Sequence, residues 1–233
     1  MIIRLFSFSV SILFFCTISY SQSHEKCGFD YKHNALLQNL AYKNLIEKSE
    51  AEIKQYRLNQ NKSSQVYNIP VVVHVLHKGE AVGTGTNISD AQINSAISHL
   101  NQVYRGQTAN SPTDFGIQFS LAQQDPNCNA SNGINRINAS AIPNYSSGGV
   151  DYYGDGGEAD ENDLKDLSKW PVSDYFNIWI VSEIENNNGG SGVQGYANFF
   201  TGSNTYEGSM MMANVFGYDP TSVSYTHLRA HET

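Results

Sequence analysis

The chain has 233 residues, a formal net charge of −8 and 40% hydrophobic residues, whereas only 15% of its residues are charged. A chain of this length and composition can bury one sizeable core, which excludes wholesale disorder. The acidic balance, with no cluster of Lys and Arg, disfavours binding to nucleic acid and to an anionic membrane surface.

The first 21 residues have the pattern of a signal peptide. A short positive region ends at Arg4, an apolar run extends from Leu5 to Ile18, and Ser19 and Ser21 are small residues at the positions that a signal peptidase reads. The run is shorter than the roughly 20 residues that a bilayer-spanning helix needs. We therefore predict a secreted, extracellular protein with no membrane attachment after cleavage. An uncleaved N-terminal anchor is the alternative.

Residues 22–65 are polar and helical in character, and the composition changes after them. Apolar residues at helix-like spacing predict one or two amphipathic helices that need another surface to pack on. These residues are Leu36, Leu37, Leu40, Ala41, Leu45 and Ile46. We expect a helical pro-segment over residues 22–65, followed by an α/β domain over residues 66–221.

The α/β domain begins with a strand, a helix and a second strand. Residues 69–76 are a continuous β-branched run, as in a strand that is covered on both faces. Ser89 and Gln92 form a capping box, and apolar residues follow at helical spacing as far as Tyr104. Residues 117–121 alternate between apolar and polar, which predicts a half-buried strand. This order favours a right-handed crossover onto one sheet.

The second half of the domain is less regular. Residues 125–157 are turn-rich, residues 161–170 favour a short helix, and residues 175–184 predict a central strand because both alternate sets are apolar. Residues 193–200 and 208–215 are predicted as short edge elements. The expected fold is α/β (α+β): a twisted mixed β-sheet with a backing helix, preceded by the helical pro-segment.

Several residues outside the chain's end suggest metal ligands, each with a plainer alternative. His74 and His77 lie three apart on a predicted strand, hence on opposite faces, so they do not readily share an ion. Met210 to Met212 are typical of strand packing. A glycine-punctuated acidic cluster could hold calcium or could be a solvated charged loop. Its members are Asp151, Asp155, Glu158, Asp160, Glu161 and Asp163.

His227 and His231 lie near the end of the chain, four residues apart. On a helix this spacing places both imidazoles on one face, as in a zinc endopeptidase. The chemistry also needs a glutamate directly after the first histidine as general base, and that position is Leu228. Taken alone, the pair is interpreted as a chance spacing.

The whole-chain pattern resembles the pappalysin-like metallopeptidases of the metzincin clan. The resemblance covers roughly residues 24–218 and depends on the order and spacing of several segments. They are Ile69 to Leu76, Ile88 to Ile93 with Leu100-Asn101, Phe115 to Ala122, Asp125 to Asn127, Gly133-Ile134, Tyr175 to Ile180, Gly195 to Ala197 and Phe216-Gly217.

The resemblance implies a secreted zinc metalloendopeptidase that hydrolyses peptide or protein substrates with metal-activated water. In that family an H-E-x-x-H-x-x-G-x-x-H motif follows the position of Phe216-Gly217. This chain lacks the glutamate, the glycine and the third histidine there, so His227 and His231 are not expected to be the family's zinc ligands. We interpret residues 222–233 as an anomalous, non-native tail, and the chain as an inactive fragment that has no catalytic residue.

The resemblance also assigns roles to two other segments. Cys27, followed by Gly28, matches a pro-region cysteine that caps the zinc as a thiolate and keeps a zymogen latent. A disulfide with Cys128 or an idle thiol are the alternatives. The strand at Gly195, Tyr196 and Ala197, or the one at Met210 to Met212, would form the rim of the cleft and pair with an extended substrate.

A second hypothesis comes from a different class of function. The 14 tyrosines and the abundant asparagines also suit a non-catalytic extracellular binding module, such as an adhesin-like or carbohydrate-binding domain. The nucleotide sequence beyond residue 221 would separate the two hypotheses, because an in-frame zinc helix supports the peptidase.

Overall fold

The computed structural model describes residues 28–59, 65–187, 192–197 and 205–217. In chain order the elements are α1 (Phe29–Leu36), α2 (Leu40–Asn59), β1 (Tyr67–His77), α3 (Asp90–Tyr104), β2 (Ile117–Leu121), β3 (Ile134–Asn138), α4 (Tyr145–Gly148), α5 (Glu161–Asp166), β4 (Phe176–Val181), β5 (Gly195–Ala197) and β6 (Ser209–Met212). Among the described residues, no helix combines the length and the apolar character needed to cross a membrane.

One mixed sheet organises the domain. Its strand order is β2-β1-β4-β6-β5, and β3 pairs with β1 as well. The long strand β1 pairs in parallel with β2 through its first half and with β3 through its second half. All pairings are parallel except β5 with β6, which is antiparallel. The predicted mixed α/β fold is confirmed.

The core lies between the sheet and helix α3. Val71 to Leu76 of β1 are fully buried, and α3 turns Ile93, Ala96, Ile97 and Leu100 towards them. Ser89 caps this helix as predicted, because its hydroxyl accepts a hydrogen bond from the backbone N–H of Gln92 at 3.1 Å. The Gln92 side chain, however, points to the chain after β6 instead of back to the cap, so the reciprocal half of the expected capping box is wrong.

Two strand assignments from the sequence also need correction. Residues 134–138, which lie in the stretch predicted as turn-rich, form β3, because β1 is long enough to offer a second parallel partner beyond β2. Strand β6 was expected at an edge but lies between β4 and β5, and its residues Met210 to Met212 are buried. Strand β4 is internal, as predicted for a segment that is apolar on both faces.

Candidate functional site

The edge of the sheet is formed by one of the two strands that the family resemblance singled out as a cleft rim. Gly195, Tyr196 and Ala197 form β5, the last strand in the sheet order, and each pairs with one residue of β6. A side chain at position 195 would crowd β6, because a Cβ there would lie 3.1 Å from the carbonyl oxygen of Met210. Position 195 therefore favours glycine, and at this residue only the backbone lies at the outer edge of the sheet.

Residue 28 binds to this outer side. The backbone N–H of Gly28 donates to the carbonyl of Gly195 at 3.0 Å, and the Tyr152 hydroxyl donates to the carbonyl of Gly28. A Cβ on residue 28 would lie 2.8 Å from the ring of Tyr152, so the close approach favours glycine. The start of the N-terminal segment is thus hydrogen-bonded to the edge strand. Cys27, the predicted latch, lies outside the described residues.

A second anchor fastens the same segment one helical turn later. The ammonium group of Lys32 pairs with the carboxylate of Glu161 and lies 4.3 Å from the ring centroid of Tyr196 and 5.1 Å from that of Tyr152. The Glu161 carboxylate also binds the ammonium of Lys165 at 2.6 Å. A carboxylate and the face of an aromatic ring both attract a cation, so these groups stabilise the ammonium group of Lys32.

The charges of this anchor are largely removed from water. The side chain of Lys165 is 1% exposed and that of Glu161 14% exposed. Burial opposes ionisation of Glu161, but the ammonium groups of Lys165 and Lys32 outweigh it and hold its pKa at about 2. Burial lowers the pKa of Lys165, against the influence of Glu161. Lys165 also donates to the carbonyl of Tyr206 at 2.9 Å and lies over the ring of Trp179.

The acidic loop beside this anchor brings together only part of the predicted calcium cluster. Asp151, Asp155 and Glu158 place one carboxylate oxygen each within 4.8 Å of one another. Asp151 accepts hydrogen bonds from backbone N–H groups of its own loop, and burial and the neighbouring carboxylates raise the pKa of Glu158. Glu161 belongs to the anchor, and Asp160 caps α5. Calcium binding by this loop stays a prediction.

The described histidines do not provide a zinc site. His74 is fully buried, and its Nε2 donates to Asn177 while its Nδ1 accepts from Asn135. His77 lies at the end of β1, where its Nδ1 accepts from the N–H of Gly79. These positions agree with the interpretation of one core and one strand-end histidine. The only group of three or more close metal-ligand side chains among the described residues is the carboxylate trio, a donor set that suits hard cations better than zinc.

The remaining predicted site residues lie outside the described part of the chain. These are His227, Leu228 and His231. The structure therefore tests neither zinc binding by the two histidines nor the interpretation that their spacing is due to chance. Cys128 is described, as an exposed free cysteine in a turn with a positive φ of 64°.

Sequence reasoning missed the anchor itself. Lys32, Tyr152 and Tyr196 are far apart in the chain, and no spacing rule connects them. One local signal was available: Glu161 and Lys165 are four residues apart on a predicted helix, a spacing that favours an ion pair.

No protein-family model and no curated protein matches the chain. Its structure is similar to that of a promirolysin mutant from Tannerella forsythia, with a TM-score of 0.61 and 28% identity over 86% of this chain. It is also similar to mirolysin in complex with a compound, with a TM-score of 0.52 and 30% identity over 70% of this chain.

A third similar structure is mature mirolysin from Tannerella forsythia in complex with a cleaved peptide, with a TM-score of 0.51 and 31% identity over 70% of this chain. The chain spans 64% of the promirolysin chain and 59% of each mirolysin chain, which is less than two thirds of their length.

Proposed function

We propose that this chain is part of the precursor of a secreted zinc metalloendopeptidase, and that its N-terminal segment covers the edge strand on which a peptide substrate would lie. The observation that carries the proposal is the hydrogen bond from Gly28 to Gly195 at 3.0 Å. An extended peptide that adds to a sheet edge makes this type of backbone contact. The similarity to mirolysin, a metallopeptidase, supports the same function.

The comparison with two forms of mirolysin supports the assignment of a precursor. The aligned share of this chain rises from 70% against mature mirolysin to 86% against promirolysin. The precursor thus matches more of this chain than the mature form does. This is the expected pattern if residues 28–59 correspond to a segment that the mature form lacks.

The residues described here do not supply the catalytic metal site, and we assign no step of hydrolysis to them. They would bind and orient the substrate: the carbonyl of Gly195 would accept a hydrogen bond from a peptide N–H that replaces Gly28. Cys27 precedes Gly28 directly in the sequence, an order that the predicted latch requires. Zinc in the complete protein, secretion and latency are parts of this proposal.

The experiment compares the 233-residue chain with the product of the complete reading frame. We expect the complete product to cleave casein, to lose that activity with a chelator and to recover it with zinc, whereas the 233-residue chain shows no cleavage. A complete product that is inactive at every zinc concentration and after removal of its N-terminal segment would overturn the peptidase assignment and favour the binding module. Robust chelator-sensitive cleavage by the 233-residue chain would overturn the assignment of an inactive fragment.

The latch has its own matched pair of variants in the complete product. Cys27→Ala is expected to give activity without removal of the N-terminal segment, because a thiolate ligand can no longer exclude water from the metal. Cys128→Ala removes the other cysteine that follows the predicted signal peptide in this sequence and should leave latency unchanged. Equal latency of both variants would contradict the latch. Release of the protein into the culture medium tests secretion.

A further inference from the structure

A polar groove lies beside the start of β3, which pairs with β1, whereas β5 lies at the other end of the strand order. Its volume is about 480 Å³, within the range of about 300–1,000 Å³ that ligand sites occupy. One wall belongs to the loop of residues 125–131 and the other to residues 166–170 after α5, and Ile134 and Asn135 of β3 complete the lining. We call it the β3 groove.

The loop wall is held in shape by Asp125. Its carboxylate accepts hydrogen bonds from the backbone N–H of Asn127 at 2.9 Å and of Asn129 at 2.8 Å, and from the side-chain amide of Asn129 at 3.0 Å. The N–H of Ser131 donates to the carbonyl of Gln123 at 2.9 Å. The Asp125 carboxylate thus serves its own loop and fixes the wall.

The other wall and the floor are fixed by one buried pair of side chains, His74 and Asn177. The Asn177 amide accepts from the N–H of Trp170 at 2.9 Å and donates to its carbonyl at 3.0 Å. Its oxygen also lies 2.8 Å from Nε2 of His74, and Nδ1 of His74 accepts from Asn135 at 3.3 Å. Trp170 in the wall and Asn135 in the floor are therefore bound to the same pair.

Tyr175 joins the two walls. Its hydroxyl donates to the carbonyl of Gln124 at 3.1 Å, and its ring meets that of Trp170 edge-on with 4.8 Å between the centroids. The Trp170 ring also lies edge-on to the ring of His74, at 6.2 Å. The groove is thus built by contacts within the protein, which lowers the entropy cost of binding a ligand.

The lining has the chemistry of a site for an uncharged, hydroxyl-rich ligand. Hydroxyl and amide groups, as on Ser131, Asn127 and Asn135, can donate and accept hydrogen bonds. The charged members are the cation Lys169, which pairs with Asp166, and a second anion, Asp125. One cation against two carboxylates disfavours an anionic ligand. A wholly apolar ligand would leave the polar groups unpaired.

We propose that the β3 groove binds a neutral oligosaccharide. A pyranose ring with equatorial substituents carries hydroxyl groups around its rim, which pair with amides and hydroxyls, and an apolar C–H face, which packs on an aromatic ring. Trp170 supplies that ring. The proposal goes beyond the proposed function, because the groove includes neither the Gly195 edge nor any catalytic group.

The first test uses the fluorescence of the 233-residue chain. It has two tryptophans, and Trp179 is fully buried, so quenching by acrylamide reports mainly on Trp170. Cellohexaose and chitohexaose are the probes, because their rings have equatorial substituents, and a chelator is present throughout. We expect at least one of them to reduce quenching about twofold or more, with a saturable dependence on concentration. No saturable protection by either sugar would overturn the proposal.

The second test fills the groove without removing a side-chain contact. Ala130 lines the groove and is exposed, and Ala130→Tyr should weaken binding of the hexasaccharide roughly tenfold or more, measured by calorimetry. Ala141→Tyr is the matched control, since Ala141 is an exposed loop alanine outside the lining. Equal affinities of the two variants would show that the sugar binds elsewhere.

Trp170→Leu tests the aromatic face, and an affinity loss of roughly 10- to 30-fold is expected. If this variant does not fold, the alanine pair decides. Two comparison ligands test the class of ligand. A heparin hexasaccharide should bind much more weakly than the neutral sugars, and equal affinity would contradict the charge argument. Binding of a decaproline peptide without binding of either neutral sugar would identify a peptide groove and overturn the proposal.

These measurements need neither zinc nor hydrolysis, so they separate the groove from the peptidase. Sugar binding together with an inactive complete product would remove the peptidase and leave the groove. Chelator-sensitive cleavage by the complete product, without sugar binding, would remove the groove and leave the peptidase.

Discussion

The side chain of Gln92 donates a hydrogen bond to the backbone carbonyl of Phe216 at 2.6 Å, across 124 positions of the chain. The same amide group donates to the carbonyl of Ala213 at 3.1 Å. The first turn of α3 therefore fixes the direction in which the chain leaves β6. A Cβ at Gly217 would lie 2.9 Å from the Gln92 side chain, so the two residues are in close contact.

Removal of this link should loosen the chain after β6. Gln92→Ala leaves two carbonyl groups without their donor while the Ser89 cap to its backbone N–H remains, and we expect a loss of about 1 to 3 kcal/mol in the free energy of unfolding. Urea denaturation measures it, and hydrogen exchange should show faster exchange at residues 212–217. Gln102→Ala, an exposed glutamine on the same helix, should change stability by less than about 0.5 kcal/mol. Equal losses in both variants would contradict the link.

Burial of His74 should make the fold sensitive to mild acid. Burial lowers the pKa of His74 to about 4, although its hydrogen bond to Asn177 acts in the opposite direction. The unfolded chain takes up this proton at a pKa near 6.5 and the folded chain does so only near 4. Stability is therefore complete above pH 6.5 and falls as the pH decreases towards 4, by about 3 kcal/mol.

The measurement compares the unfolding free energy at pH 7 and pH 4.5 in the parent chain and in His74→Gln, which removes the titration. His77→Gln is the control at the end of the same strand. We expect the pH dependence to flatten in His74→Gln alone, because carboxylates that titrate in the same range are present in all three chains. An unchanged pH dependence in His74→Gln would show that His74 does not cause the acid sensitivity.

Two glycines with positive φ values should respond differently to alanine. Gly149 and Gly154 have φ values of 73° and 79°, so alanine would be strained at both positions, and more so at Gly149, whose ψ is −130°. A Cβ at Gly149 would overlap the carbonyl of Glu183, whereas one at Gly154 meets nothing within 4 Å. Gly149→Ala should therefore cost roughly 4 kcal/mol or more and Gly154→Ala only about 1 kcal/mol. Similar thermal midpoints for the two variants would contradict this packing.

The hydroxyl of Tyr152 should help to retain the N-terminal segment. Tyr152→Phe keeps the ring beside Lys32 but removes the donor to the Gly28 carbonyl. We expect the free energy needed to open the N-terminal segment to fall by about 1 kcal/mol. The segment should then open about fivefold more often, measured as faster amide exchange at Gly28. Tyr153→Phe is the control, since Tyr153 also packs on Tyr31 but is 49% exposed. Equal exchange rates at Gly28 in the two variants would show that the hydroxyl does not retain the segment.

The sequence by itself determined the elements whose signals are local. The buried run of β1, the cap and periodicity of α3, the alternation of β2 and the two-sided apolar character of β4 were all readable, because each reflects the contacts of successive residues with one core. The same signals, taken in order along the chain, indicated a mixed α/β sheet, whereas it was the family resemblance that marked Gly195 to Ala197, or alternatively Met210 to Met212, as a rim.

Only the tertiary structure decided which other segments those elements pack against. The second partner of β1, the internal position of β6 and the target of the Gln92 side chain depend on which segments pack together, and no local pattern encodes that choice. The ion pair between Lys32 and Glu161 is the clearest case, since the two residues are 129 positions apart. A charged residue in a sequence is equally compatible with solvent and with a partner, and only folding removes it from water and selects the partner.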